Sequence, residues 1–183
     1  MQNTEILDAQ RHMAALQWGL RLFLGTQLIP FVVLFTVRYE LDGYYVAPTI
    51  NQWLGAITTV LMLVSMWCAV DGLHAIRHDN LDKMQHRFKT AVVLGLAYLV
   101  LLIYEWSQFF VPVGTRFGET FYSTIGVSAF YTLSGLFVLI AIAMRSGRAG
   151  FNRQNYWDAQ AGTWYWVFQG LTAVACYVFL YWI

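Results

Sequence analysis

Three stretches of this chain carry no Asp, Glu, Lys or Arg: 28 residues between Asp42 and Asp71, 25 from Thr120 to Met144 and 25 from Ala159 to Ile183. A bilayer core is crossed by about 20 apolar residues in a helix, so each stretch is long enough to span. Two further apolar segments, one interrupted by Arg21 and one by Glu105, bring the predicted spans to five, at 16–37, 53–73, 90–110, 121–144 and 162–183. In lipid every backbone N–H and C=O must be bonded within the protein, which leaves helices or a closed barrel. Continuous apolar runs contradict the alternation of a membrane barrel. The expected fold class is all-α: an integral membrane five-helix bundle forming one membrane domain over 1–183.

Only 11% of the residues are charged and 58% are apolar, against about 25% charged in ordinary soluble domains. Almost nothing is left over for a soluble domain, so function sits within the membrane or in what the bundle packs against there. The first span does not read as a cleavable signal: it is too long, contains Pro30, and is followed by no small-residue cleavage site. Cys68 and Cys176 fall inside spans, lack the spacing of a redox or metal pair, and read as small apolar packing residues.

Nine of the 11 basic residues fall on one side of the membrane: Arg11, Arg21, Arg77, Lys83, Arg87, Lys89, Arg145, Arg148 and Arg153. Arg38 and Arg116 stand in the opposite loops. Basic residues favour the cytoplasmic side, which predicts a cytoplasmic N-terminus and a periplasmic C-terminus in a bacterial plasma membrane, with the mitochondrial inner membrane as the alternative. The last span is framed by Trp164, Tyr165 and Trp166 at one end and by Tyr181 and Trp182 at the other. Amphipathic rings favour the headgroup region, so both groups read as interfacial anchors; the functional alternative is stacked aromatics lining a quinone or haem site.

Glu105 is the most informative single residue, because a carboxylate within a span is costly unless paired, hydrated or protonated. Tyr98 and Leu102 share its helical face, and Leu102 does not extend a proton relay. The structural reading has Glu105 accept a hydrogen bond from another helix or a partner subunit near the outer end of the span. Proton or ion transfer, and an interfacial carboxylate with no special role, are the other readings. Arg21 can snorkel to the headgroups along its apolar stem and bind an anionic lipid phosphate or a neighbouring subunit. Gln27 offers an interhelical hydrogen bond, and Pro30 should kink the first span. His12, His74, His78 and His86 all avoid the middle of a span. His74 and His78 share a helical face, but a metal site would need further ligands, with Asp71, Asp79 and Asp82 the nearby carboxylates. Met62 and Met66 cannot be told from packing methionines, so neither a haem nor a metal site is predicted in this chain. The basic clusters suit anionic headgroups rather than nucleic acid.

Several positions occur in an order that resembles subunit III of the haem–copper oxidases (cytochrome c oxidase subunit 3), in a divergent five-helix form. Gly95, Tyr98, Leu102, Glu105 and Trp106 resemble a family pattern of Gly, Phe, Gln and Glu followed by an aromatic. Phe117, Gly118, Glu119, Thr120, Phe121 and Tyr122, with Gly126 and Gly135, look like the start and glycines of its penultimate helix. Gly19, Phe23 and Gln27 match a Gly, Phe and Glu spacing, and Thr58 to Ser65 with His74 and Ala75 follow the next helix loosely. The likeness covers residues 13–183. The titratable family markers are neutral here. The buried Glu is Gln27, a His-Gly-x-His stretch falls on Ser128 to Tyr131, and a Trp-His-Phe-x-Asp stretch falls on Tyr165 to Gln169. Only Glu105 remains.

The resemblance implies an accessory, non-catalytic membrane subunit of a respiratory oxidoreductase of the electron-transport chain. It would pack beside the catalytic subunits, stabilise them and bind phospholipid, while haem and copper are expected only in the partners. In the family this subunit also helps sustain proton uptake, a role that the neutral replacements argue against here. Glu105, Gln27, Gln169 and Arg21 are the structural intramembrane polar residues, and Arg21, Trp53 and Trp67 are candidates for a lipid cleft between the first pair and the last three helices. Competing readings are an independent small transporter or channel, motivated by Glu105, Arg21 and Pro30, a haem- or quinone-binding membrane anchor, and an accessory subunit of a nitric-oxide reductase-like complex. Five spans without pseudo-symmetry weaken the transporter reading.

Overall fold

A computed structural model describes residues 2–146 and 156–183; Arg148 and Arg153, counted above among the basic residues, lie outside the described residues. Five helices follow in order: α1 (Gln2–Asp42), α2 (Gln52–Arg77), α3 (Leu81–Ser107), α4 (Arg116–Ser146) and α5 (Trp157–Tyr181). All five are long and apolar enough to cross a membrane. α1 has 41 residues and runs past 16–37 at both ends, unbroken at Pro30.

The breaks have local causes. α1 stops at Gly43, whose φ of 60° suits glycine and whose N–H reaches the Tyr39 carbonyl at 2.9 Å. The Asn51 and Asn80 carboxamide oxygens accept from the N–H groups of Leu54 at 3.1 Å and Lys83 at 3.0 Å, capping α2 and α3. Before α4, Thr115 Oγ1 accepts from Gly118 N at 3.0 Å.

Helices α2 to α5 form a ring in which each packs on the next and α5 closes on α2; α1 stands outside it, against α4 and α5. The ring follows from the buried seams. On α3 the buried positions are Met84, Phe88, Ala91, Gly95, Tyr98, Leu102 and Glu105. They alternate four- and three-residue steps, the heptad spacing that keeps one stripe facing its neighbours. The opposite face presents Val93, Val100 and Ile103, so the helix is apolar all round, as a membrane span requires. Small residues set the close approaches: a Cβ on Gly95 would lie 2.6 Å from Trp166 Cζ2, and one on Gly135 would lie 2.9 Å from the same indole. Buried threonine hydroxyls on α4 and α5 are satisfied within their own helices. Thr124 donates to Thr120 O and Thr163 to Ala159 O, each at 2.7 Å.

One expectation is corrected. Tyr165, Trp166 and Tyr181 do not anchor at the interface: all three are buried in the bundle, Trp166 completely, and of the framing aromatics only Trp164 and Trp182 face outward. At successive helical positions about 100° apart, a run such as Trp164 to Trp166 cannot keep to one face, and here two of its members turn inward.

Candidate functional site

The interior of the ring is polar in the half nearer the C-terminus of the chain. Glu105 occupies the last turn of α3 and is 2% exposed. Its Oε1 accepts a hydrogen bond from the Tyr181 hydroxyl at the end of α5. Tyr181 is fixed from the α2 side. Its ring lies so close to Gly55 that a Cβ there would meet Cε1 at 2.5 Å, and its carbonyl accepts from Gln52 Nε2 at 3.1 Å. The acid thus ties α3 to α5, and α2 locks the tie. Tyr98, two turns earlier on the same seam, faces Ser128 of α4 with 3.5 Å between their oxygens. Ser128 is one of the positions where the resembling family carries a His.

Toward the basic side this interior is floored by Trp166. Its Nε1 donates to Ser65 Oγ at 3.0 Å, and Ser65 donates to the Ala91 carbonyl at 2.7 Å, joining α5, α2 and α3. Gln169 is buried one turn above, and among the described residues its Nε2 finds no partner.

The other residues singled out from sequence are not gathered at Glu105. Arg21 projects outward with its guanidinium 5.0 Å from the Trp18 ring. It lines a crevice of about 410 Å³ between α1 and the start of α5, with Gln17, Leu20, Leu24, Gln160 and Trp164. Gln27 lies deeper along α1 in a second crevice of about 550 Å³, which shares Leu20 and adds Phe23, Tyr131, Ser134 and Tyr165. α1 itself docks on the ring through Phe23, Phe31 and Phe35. Phe23 sits 5.8 Å from Tyr165, Phe31 sits 5.5 Å from Tyr131, and Phe35 stacks on Phe179 at 4.4 Å. Trp53 and Trp67 are on the outer surface of α2, 81% and 65% exposed. The expected grouping of a first helix pair against the last three is therefore not the one observed: α2 is part of the ring, and the crevices lie between α1 and α4–α5.

Sequence reading missed Arg38. Placed above in a loop, it belongs to α1 and is 2% exposed. Its guanidinium donates to the carbonyls of Gly43 at 3.1 Å and Tyr45 at 2.8 Å and lies 4.7 Å from the Phe117 ring. A basic residue beside Glu40 and Asp42 gives no sequence signal that separates this clamp from a solvated loop cation. Asp71, considered above as a metal ligand, pairs instead with Lys83 at 3.0 Å and Arg87 at 2.7 Å across the α2–α3 turn. Among the described residues no three His, Cys, Asp or Glu side chains are grouped to hold an ion.

No family model matches the chain. Curated relatives do. Over 173 residues the chain is 28% identical to cytochrome c oxidase subunit 3 of Alkalihalophilus pseudofirmus, with 89% of this chain and 84% of the relative covered. The subunit 3 of a Bacillus species is 26% identical over 173 residues, covering 89% and 83%. That of Anopheles quadrimaculatus is 23% identical over 183 residues, covering 91% and 69%.

Proposed function

This chain is a divergent, five-helix membrane protein of the cytochrome c oxidase subunit III-like kind, and from that premise we propose that it is a non-catalytic accessory subunit of a terminal-oxidase-like respiratory complex. The observation that carries the reading is the extent of the likeness, about nine-tenths of the chain, to relatives named as that subunit. The interior chemistry fits a scaffold. Its hydrogen bonds link helices to one another, as Glu105–Tyr181 and Trp166–Ser65 do. Haem and copper belong to the catalytic partner subunits. Exposed Trp67, Val93, Val100 and Phe137 give the bundle an apolar perimeter against which lipid and a partner span can lie.

The finer parts of the proposal concern side and lipid. The charge bias supports a cytoplasmic N-terminus and a periplasmic C-terminus in a bacterial plasma membrane. A phospholipid is proposed for the paired crevices beside α1. Arg21 and Gln17 would take the phosphate, and Leu20, Phe23 and Val138 the first acyl carbons. Trp53 and Trp67, on α2, would meet surrounding lipid rather than this one.

Purification from native membranes in mild detergent, with identification of the chains that travel with it, tests the assignment. Catalytic oxidase subunits in fixed proportion are expected; a protein that runs alone while the respiratory complexes stay intact would overturn it. For the lipid, Arg21→Ala should lower retained anionic phospholipid severalfold with the complex still assembled. An unchanged lipid content would remove that part alone.

A further inference from the structure

Glu105 uses one carboxyl oxygen on Tyr181, and the other, Oε2, is buried with no hydrogen-bond partner among the described residues. The same side chain lines a cavity of about 20 Å³ at the centre of the ring, with Thr58, Thr59, Tyr98, Ser128 and Cys176 around it. A cavity of about 10–15 Å³ holds one water, provided two to four polar groups face it.

Those groups have capacity to spare. Thr58 and Thr59 spend their hydroxyl protons on backbone carbonyls of their own helix, at 2.7–3.0 Å, which leaves their oxygens as acceptors. The Tyr98 and Ser128 oxygens are 3.5 Å apart, longer than a well-formed O–H···O bond of about 2.7–2.8 Å. A buried carboxyl oxygen left without a partner is among the costlier groups in a low-dielectric interior.

We infer that this cavity binds a single ordered water, held between Glu105 Oε2 and the Tyr98–Ser128 pair, and that Glu105 is its principal ligand. The water completes the acid's bonding and links α3 to α4 as Tyr181 links α3 to α5. The site is blind. Toward the basic side Trp166 blocks it, with the indole N–H committed to Ser65 and that hydroxyl committed to Ala91, and with fully buried Leu136 beside it over Gly95. One water here closes a junction; it does not begin a file across the membrane.

The test is an experimental structure of the protein in its native complex at a resolution that shows ordered water. One peak is expected within about 2.5–3.2 Å of Glu105 Oε2 and of Tyr98 or Ser128. Infrared spectra in H₂¹⁸O should shift one sharp O–H band, and Glu105→Leu should abolish it. Should that variant not assemble, Ser128→Ala keeps the acid and should displace the band in frequency. A wild-type map with Oε2 bonded to a protein atom and no peak in the cavity would overturn the inference. So would a peak that vanishes when sodium is replaced by choline, which would make the occupant a cation.

Discussion

Replacing Gly95 by alanine is the sharpest probe of how the ring is held together. The added methyl would lie 2.6 Å from Trp166 Cζ2 and 2.9 Å from Leu136 Cδ2, where carbon atoms rest at about 3.5–4.0 Å. The indole has nowhere to go. Its other edge faces Gly135 so closely that a Cβ there would lie only 2.9 Å away, and Nε1 is anchored to Ser65 at 3.0 Å. Overpacking of this kind costs about 1–3 kcal/mol, and freeing the buried indole N–H adds about 1–3 kcal/mol. The better helix propensity of alanine returns up to ~1 kcal/mol. A net loss near 3 kcal/mol lowers Tm by about 6–12 °C for a chain of this size. Cys68 and Cys176 are free and buried, so a thiol-reactive fluorogenic dye reads unfolding in detergent directly. Gly126→Ala is the control, because nothing lies within 4 Å of its added methyl; its Tm should stay near wild type. An unchanged Tm in Gly95→Ala, or an equal drop in the control, would refute the packing argument.

Glu105→Gln keeps an acceptor for Tyr181 and should leave turnover of the parent complex intact. Glu105→Leu strands the buried phenol at a cost of about 1–3 kcal/mol and should loosen subunit retention in detergent; a large turnover loss in the Gln variant with every subunit present would reopen proton transfer. Arg38→Ala removes two hydrogen bonds to carbonyls, worth roughly 3–6 kcal/mol together when the donor is charged, and should expose the 43–51 connection to faster proteolysis. Asp71→Asn should cost no more than ~1 kcal/mol, because its partners are 40–47% exposed and such pairs are screened. Its Tm deficit should shrink further in high salt.

Helix number was legible because long uncharged runs have few alternatives in lipid. The α3 seam was partly legible too: Tyr98, Leu102 and Glu105 were placed on one face, and extending their spacing backward reaches Gly95, Ala91 and Phe88. What could not be read was which way an amphipathic side chain turns. Tyr181 satisfies its hydroxyl on a buried carboxyl instead of a headgroup, and both outcomes leave the same mark on the sequence. Arg38 has the same ambiguity, since its carbonyl partners on Gly43 and Tyr45 exist only once the chain has turned. The crevices beside α1 were misplaced for a third reason. Hydropathy assigns a helix to the membrane but says nothing of its neighbours, and α2 joined the ring while α1 did not.

The position of α1 bears on how the protein is made. It leaves the ribosome before the ring helices, yet its contacts are with α4 and α5, which are synthesised after the other two. Until then the stripe of Phe23, Phe31 and Phe35 has only lipid, or a helper protein, to face. The contacts that close the ring do not involve it, so docking of α1 is separable from ring closure. A chain arrested before α4 would display that aromatic stripe in full, a ready mark by which an unfinished subunit can be told from a finished one.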